Sequence, residues 1–153
     1  MDARVDPAHF LQLPPGEAFV LRNVGGRVTD DVVRALAMLW GMSSVATEGN
    51  PKLSLIVIQH LDCGLQKLAD PRFRIAISRS SGITSDALDR MAIREHEVAI
   101  EADLAQLRDS ELVPDQIEVS AHVYDPNTGR LREIVPRRTL GSDEDLVARG
   151  SVT

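Results

Sequence analysis

The order of hydrophobic patterns along this sequence predicts an α/β fold, in which helices flank a mostly parallel central sheet and a β-hairpin lies at the C-terminal end. Residues 53–58 form a short run that is almost entirely apolar and rich in β-branched side chains. Such a run is typical of a strand buried on both faces of a parallel sheet. Helical periodicity precedes and follows it, and residues 117–123 alternate as a second strand does. A turn cluster at residues 125–129 leads into a further strand at residues 131–135.

The first third of the chain predicts a strand followed by a helix. Residues 17–21 have the composition of a short strand, which begins after a Pro-Pro-Gly breaker and ends near Gly25. Thr29 is a good N-cap, and the two carboxylates after it suit the positive end of a helix dipole. Apolar side chains at helical spacing then predict an amphipathic helix over residues 30–42.

The second half of the chain predicts one long helix before the hairpin. Helical periodicity covers residues 85–107. The side chains expected on its inner face are Leu88, Met91, Ala92, Val98, Ala102 and Leu107. The residues expected on a solvated face are His96 and the acidic run Glu95, Glu97, Glu101 and Asp103.

Length and charge narrow the classes of function. A chain of 153 residues suits one domain, which we place at residues 1–136, followed by a polar tail at residues 137–153. A net charge of −6 without a basic block argues against nucleic-acid binding, because phosphate recognition needs clustered cations. No apolar run is long enough to span a membrane, and the N-terminus lacks the apolar core of a secretory signal. We therefore expect a cytoplasmic protein, in which the single cysteine excludes an intrachain disulfide.

The strongest chemical signal is an H-L-D-C-G motif, which places His60 three positions before Cys63 where a buried strand ends and a helix begins. This spacing lets an imidazole and a thiolate converge on one tetrahedral ion, and zinc favours that pair of donors. A helix N-terminus also lowers the pKa of a thiol. Two donors do not make a stable zinc site, and the sequence has no second cysteine. The alternative is a packed Cys63 beside a surface His60.

Two weaker signals lie nearer the N-terminus. Asp2 and Arg4 are one residue apart, so an extended backbone would put both side chains on one face, where a guanidinium can hold a carboxylate. Exposed pairs of this kind usually contribute little. The N-V-G-G turn at residues 23–26 would let backbone approach a ligand closely, but no Lys-Ser/Thr follows it, so it is not a P-loop.

Taken in order, these motifs resemble the β-class of carbonic anhydrases. That family has a Cys-x-Asp-x-Arg segment at the end of its first strand, an Arg-Asn-x-Gly turn after its second and a His-x-x-Cys-Gly turn after its third. Asp2 and Arg4 match the part of the first element that follows its Cys, residues 22–25 match the second and residues 60–64 match the third. The C-terminal hairpin is similar to that of the shorter, prokaryote-like branch, and the resemblance extends to about residue 135.

The resemblance implies a zinc ion (Zn2+) held by Cys, His and Cys, which ionises a water that attacks carbon dioxide to give bicarbonate. It assigns His60 and Cys63 as metal ligands, Asp2 and Arg4 as a catalytic dyad, and Gly25 to the substrate side of the pocket. In that dyad the Asp accepts a hydrogen bond from the water or occupies the fourth zinc position, and the Arg holds the Asp off the metal. The resemblance also implies a homodimer or a larger homo-oligomer.

The first zinc cysteine of the family would stand one residue before Met1, and a strand and a helix would also precede it. Two interpretations are open: a shortened version of a normal enzyme, or a related chain that kept the fold and lost the metal. Loss of that strand would leave unpaired backbone groups beside its neighbours. Besides carbon dioxide hydration, two hypotheses are kept: a non-catalytic dimeric interaction protein on the same fold, and action on another small electrophile such as carbon disulfide.

Overall fold

The structure is a computed structural model that describes residues 1–142. Its α-helices are α1 (Pro7–Phe10), α2 (Asp30–Ala46), α3 (Pro71–Ser81), α4 (Ser85–Met91) and α5 (His96–Arg108). Its strands are β1 (Ser54–His60), β2 (Glu118–Asp125) and β3 (Arg130–Thr139). Two short 3-10 helices occupy Val24–Gly26 and Gly64–Ala69.

The strands form one mixed sheet in the order β1-β2-β3. β1 lies parallel to β2, which requires a long crossover, here built from α3, α4 and α5. β2 pairs antiparallel with β3 across a short turn. Asp125 holds this turn together, because its carboxylate accepts hydrogen bonds from the Asn127 N–H at 2.9 Å and the Thr128 hydroxyl at 2.7 Å. The predicted α/β class with a C-terminal hairpin is confirmed.

The main hydrophobic core joins the sheet to α2 and α5. The strands contribute Val57, Val119, Ala121 and Val123, and the helices contribute Val33, Leu36, Ile100, Leu104 and Leu107. A second cluster joins the loop after β1 to α4 and the start of α5 through Cys63, Leu65, Leu68, Leu88, Ala92, Ile93 and Ala99. Full burial of each large aliphatic side chain contributes about 1.5–3 kcal/mol, so this second cluster anchors the H-L-D-C-G motif firmly.

The predicted strand at residues 17–21 is wrong, because these residues form no regular structure. Phe19 is 72% exposed and Leu21 is 53% exposed, although both belong to an apolar run suited to a strand. A strand needs a neighbour to pair with, and in the described residues the sheet ends at β1. β1 therefore has a partner on one side only, and its Ile56 is half-exposed.

The predicted long helix at residues 85–107 is two helices, because the chain breaks direction at residues 92–95. The break is anchored by Ile93, which is fully buried and donates its N–H to the Leu65 carbonyl at 3.4 Å. The new helix start changes which face points inward, so Val98 and Ala102 are exposed instead of buried. The inner face of α5 is His96, Ala99, Ile100, Asp103, Leu104 and Leu107.

The domain boundary predicted at residue 136 stays a prediction, and regular structure continues beyond it. β3 continues to Thr139, and Leu140 is buried in the main core with its N–H donated to the Ile117 carbonyl at 2.9 Å. The rest of the predicted tail, residues 143–153, lies outside the described residues. Within residues 1–142, none of the helices combines the length and the apolar character that a membrane crossing requires.

Gly26 allows the turn before α2 to approach β1 closely, and this generates a first prediction. Its φ is +61°, and a Cβ there would lie 2.3 Å from the Ile58 carbonyl oxygen. We expect Gly26→Ala to lower the free energy of unfolding by about 3 kcal/mol, from left-handed strain and overpacking together. Gly49→Ala is the matched control, because Gly49 has a φ of +89° but open space around it. It should cost about 1 kcal/mol. Urea unfolding measures both, and equal losses would contradict the close approach.

Candidate active site

The H-L-D-C-G motif lies at the carboxyl end of β1, where parallel sheets place their ligand sites. His60 is the last residue of β1 and pairs in register with Tyr124 of β2. The strand then ends in a turn, since Asp62 adopts a φ of +56°, a left-handed conformation that Asp tolerates better than most residues. Cys63 caps the 3-10 helix that follows, and both His60 and Cys63 are buried.

The imidazole of His60 directs its Nε2 into the site. Its Nδ1 lies 2.8 Å from the Leu61 carbonyl oxygen. A carbonyl can only accept, so Nδ1 carries the proton and donates it. In the neutral ring Nε2 therefore carries the lone pair, and a histidine that coordinates a metal needs one such nitrogen.

His60 and Cys63 polarise each other. Their hydrogen bond raises the pKa of His60, although burial lowers it. Burial raises the pKa of the Cys63 thiol, but the side chain of His60 and the N–H of Leu65 together outweigh burial and leave that pKa below its ordinary value. The Gln66 side chain accepts the Cys63 N–H at 3.0 Å and so fixes the loop. The thiol is thereby biased towards the thiolate, which is the form that binds metals.

Asp2 and Arg4 lie beside this pair. Arg4 holds the Asp2 carboxylate through two bonds, from Nε at 3.0 Å and from Nη2 at 2.8 Å. The other side of the guanidinium reaches Asp62, with Nη1 at 3.1 Å from its carboxylate and Nη2 at 3.2 Å from its carbonyl. These bonds from Arg4 hold the pKa of Asp2 well below its usual range. Asp2 Oδ2 lies 3.9 Å from His60 Nε2, so the structure brings the predicted dyad to the predicted metal donors.

The backbone around the dyad is a turn, not the extended segment expected from the sequence. The Val5 N–H donates to the Asp2 carbonyl at 3.1 Å. Arg22 secures this turn by donating to the carbonyls of Asp2 and Val5 at 3.0 and 2.7 Å. The Phe10 ring stacks on Tyr124 with centroids 4.0 Å apart, which attaches the N-terminal segment to the end of β2.

Gly25 lies in the turn that packs against the loop after Cys63. Its φ is +80°, and a Cβ there would lie 2.2 Å from Leu65 Cδ1, so only glycine fits. Asn23 closes the same turn, with its side chain bonded to both the N–H and the carbonyl of Arg27. The predicted place of Gly25 on the substrate side of a pocket stays a prediction.

A buried polar network lies beneath the motif, and the sequence pattern does not predict it. Arg27 Nε lies 2.9 Å from both carboxylate oxygens of Asp103, and Gln59 Nε2 lies 3.3 Å from Asp103 Oδ2. Gln59 Oε1 lies 2.9 Å from His96 Nδ1. His96 and Asp103 were expected on a solvated face, but they are 6% and 1% exposed. One feature of the sequence does favour burial of Asp103, because it lies at helical spacing from the apolar residues Ile100, Leu104 and Leu107.

The donors present fit zinc in chemical type but not in number. His60 and Cys63 supply the nitrogen and sulfur that zinc favours, whereas protein zinc sites with catalytic activity generally use three protein ligands. Within residues 1–142 no group of three or more His, Cys, Asp or Glu side chains is arranged to hold a metal ion. Asp2 is a carboxylate near this pair, with its Oδ2 at 3.9 Å from His60 Nε2.

A cavity in the described residues lies elsewhere. It has a volume of about 480 Å³ and is lined by residues that include Trp40, Lys52, Glu118 and Arg137. Ser54 and Glu118, the first residues of β1 and β2, also line it, so it opens at the amino ends of the strands. The H-L-D-C-G motif lies at the opposite end of the sheet, so this cavity is separate from the candidate site.

Known proteins share both the sequence and the fold of this chain. The sequence model of the carbonic anhydrase family matches residues 1–122. Beta-carbonic anhydrase 1 of Mycobacterium tuberculosis is 32% identical over 139 residues, which cover 89% of this chain and 78% of that protein. A carbon disulfide hydrolase of an Acidianus species is 25% identical over 185 residues, which cover 99% and 81%. The crystal structure of carbonic anhydrase from Streptococcus mutans superposes with a TM-score of 0.68 at 34% identity, covering 88% of this chain and 76% of that one. The chain therefore belongs to the β-class of the carbonic anhydrase family.

Proposed function

We propose that this protein is an enzyme of the carbonic anhydrase type, which hydrates carbon dioxide reversibly to bicarbonate with the help of zinc. The observation that carries the proposal is the meeting of Asp2, Arg4, His60 and Cys63 at the carboxyl end of β1. These residues come from the two ends of the stretch 2–63 and match the motifs of the family. A cytoplasmic location stays a prediction.

In this proposal His60 Nε2 and the Cys63 thiolate are two of the zinc donors. When bound, zinc supplies a Lewis acid that lowers the pKa of water to near neutrality. The Leu61 carbonyl aims His60 by fixing its tautomer, and the Leu65 N–H stabilises the thiolate. Both donors are buried, so their orientation is set by packing.

The proposed role of Asp2 is to orient the attacking water. Because Arg4 and its hydrogen bonds lower the pKa of Asp2, this carboxylate stays ionised and can only accept a hydrogen bond. It therefore selects one orientation of the water and leaves a lone pair directed at the carbon of the substrate. Arg4, tied to Asp62 as well, holds Asp2 in place and away from the metal donors.

We further propose that full activity requires a third donor from a cysteine immediately before Met1. Such a residue would be two positions from Asp2, and consecutive Cα atoms are about 3.8 Å apart, so it lies within reach of His60. Two features support a strand leading to it. Within residues 1–142, one edge of β1 has no partner strand, and the apolar residues 17–21 pair with no strand. A strand between them would satisfy both.

Carbon disulfide is the second candidate substrate. Support comes from the carbon disulfide hydrolase of Acidianus, which aligns with 99% of this chain. Carbon disulfide is linear and electrophilic at carbon, as carbon dioxide is, so the same residues would act on it. Hydrogen sulfide release from carbon disulfide, compared with proton release from carbon dioxide, distinguishes the two substrates. Release of neither by any form of the protein would favour the non-catalytic hypothesis.

The number of metal donors generates a prediction about zinc. We expect the 153-residue chain to bind zinc weakly or substoichiometrically, because it offers two strong donors where three are usual. Metal analysis after dialysis measures the retained zinc, and Cys63→Ser should remove what remains. One tightly held zinc per chain would contradict the expectation, unless Asp2→Asn abolished it and so identified Asp2 as the third ligand.

The dyad and the missing donor generate a prediction about catalysis. We expect little carbon dioxide hydration by the chain as it stands, and an increase by orders of magnitude when a strand ending in Cys is added before Met1. In the extended protein Cys63→Ser should abolish activity. Arg4→Ala should impair it, because Asp2 could then move onto the metal. Stopped-flow hydration assays measure these four proteins and the short chain with Cys63→Ser. Full activity in the short chain that survives Cys63→Ser would show that the zinc site is wrongly assigned.

We also propose a homodimer or a larger assembly. Met38, Met42 and Val45 form an exposed apolar stripe along α2, and Val45 is 85% exposed. Together with the exposed residues 17–21, this surface would otherwise be an aggregation liability. Sedimentation velocity at micromolar concentration should therefore show a dimer or more, and Met42→Lys should weaken it. A clean monomer would contradict the proposal.

A further inference from the structure

Gln59, the residue before His60, lies at the centre of a buried hydrogen-bond chain that includes neither the metal donors nor the dyad. Gln59 is completely buried, and both ends of its side-chain amide are bonded. Its Nε2 lies 3.3 Å from Asp103 Oδ2, and its Oε1 lies 2.9 Å from His96 Nδ1. Arg27 completes the chain by donating from Nε to both oxygens of Asp103.

Only one direction of hydrogen bonding satisfies this chain. Asp103 faces the Arg27 cation and is an acceptor as a carboxylate, so the Gln59 amide must turn its NH2 group towards Asp103. The Gln59 oxygen then faces His96 and accepts the proton on Nδ1. His96 Nε2 is left with a lone pair, and this atom is buried without a hydrogen-bond partner in the described residues. Burial lowers the pKa of His96, which favours this neutral ring.

The end of β1 needs such a restraint because the sheet holds it from one side only. His60 pairs with Tyr124 of β2, and the Leu61 N–H donates to the Tyr124 carbonyl at 2.8 Å. Nothing in the described residues pairs with the other edge. Successive side chains of a strand point to opposite faces, so an anchored Gln59 restrains the peptide from the face opposite His60.

We propose that Gln59 is a positioning residue for His60. Asp103 and His96 hold its amide, the held amide fixes the peptide that joins Gln59 to His60, and this sets the direction of His60 Nε2 towards Asp2. The inference rests on the proposed function in so far as His60 is a metal donor there. Outer-shell partners of metal ligands commonly change metal affinity by about 10–100-fold when they are removed.

An exchange of amide and carboxylate tests the proposal. Gln59→Glu alone would set a second carboxylate against Asp103 and break the chain. Gln59→Glu combined with Asp103→Asn moves the carboxylate from position 103 to position 59. The net charge is unchanged, and each acceptor between Arg27 and His96 still faces a donor. The single variant should therefore disturb His60, and the double variant should restore it.

The matched control is a Gln–Asp pair on the surface. Gln106 Nε2 donates to Asp30 Oδ1 at 3.2 Å, and both residues are exposed, Gln106 on α5 and Asp30 at the start of α2. The same exchange, Gln106→Glu with and without Asp30→Asn, should leave every readout near that of the original protein. Gln59→Met, which is similar in length and neutral, serves if Gln59→Glu does not fold.

Two readouts separate positioning from a purely structural role. The first is the dissociation constant of the folded protein for Zn2+ added in excess, which Gln59→Glu should raise about tenfold or more. The second is the set of imidazole 15N chemical shifts of the metal-free protein at neutral pH. These chemical shifts should show that His96 carries its proton on Nδ1 and that its Nε2 is unprotonated. The His60 resonances should shift or multiply in Gln59→Glu and return in the double variant.

The outcomes distinguish this inference from the proposed function. If Gln59→Glu and Gln59→Met lowered the free energy of unfolding but left the His60 resonances and the zinc affinity unchanged, Gln59 would be structural only and the inference would be overturned. A His96 ring protonated on Nε2 would also overturn it, because the chain would then run in the other direction. If neither the original protein nor the protein extended by a strand ending in Cys bound zinc at any concentration, the proposed function would fail, whereas the His60 resonances would still decide the role of Gln59.

Discussion

The buried ion pair between Arg27 and Asp103 is the interaction on which the arrangement of the site depends. It joins the turn before α2, the middle of α5 and, through Gln59, the end of β1. Burial raises the pKa of Asp103 to about 6, while Arg27 and Gln59 oppose that rise and keep the carboxylate charged at neutral pH. Loss of one partner of such a pair typically costs about 3–5 kcal/mol, because the other charge is left buried.

Above this pair the site holds its side chains in the protonation states that its proposed chemistry needs. His60 and Cys63 polarise each other towards a thiolate, and the backbone N–H of Leu65 contributes to the same shift. Arg4 keeps Asp2 ionised and links it to Asp62. Metal binding requires deprotonated ligands, so a site already biased in this way loses less free energy to proton release when a metal binds.

In the described residues β1 has no partner strand on its second edge, and this explains why apolar residues near it are exposed. Residues 17–21 have strand composition but no strand structure, and Ile56 is half-exposed although Val57, Gln59 and His60 of the same strand are buried. An apolar sheet edge is a template for pairing with another strand. The same edge leads to the carboxyl end of β1, so whatever pairs there also reaches the candidate site.

The sequence by itself determined the class of fold and the motif of His60 and Cys63, because each rests on local spacing or on side-chain type. The dyad of Asp2 and Arg4 was predicted from the resemblance to the family, because spacing alone gives only a weak signal there. It also predicted the hairpin, since a turn cluster between alternating residues acts over a few positions only. Tertiary structure decided the rest. The strand expected at residues 17–21 has no neighbour to pair with, and the helix expected at residues 85–107 breaks where Ile93 enters the core. Asp103 and His96 became buried because Arg27 and Gln59, distant in sequence, satisfy them, and no local pattern reveals a partner supplied by the fold.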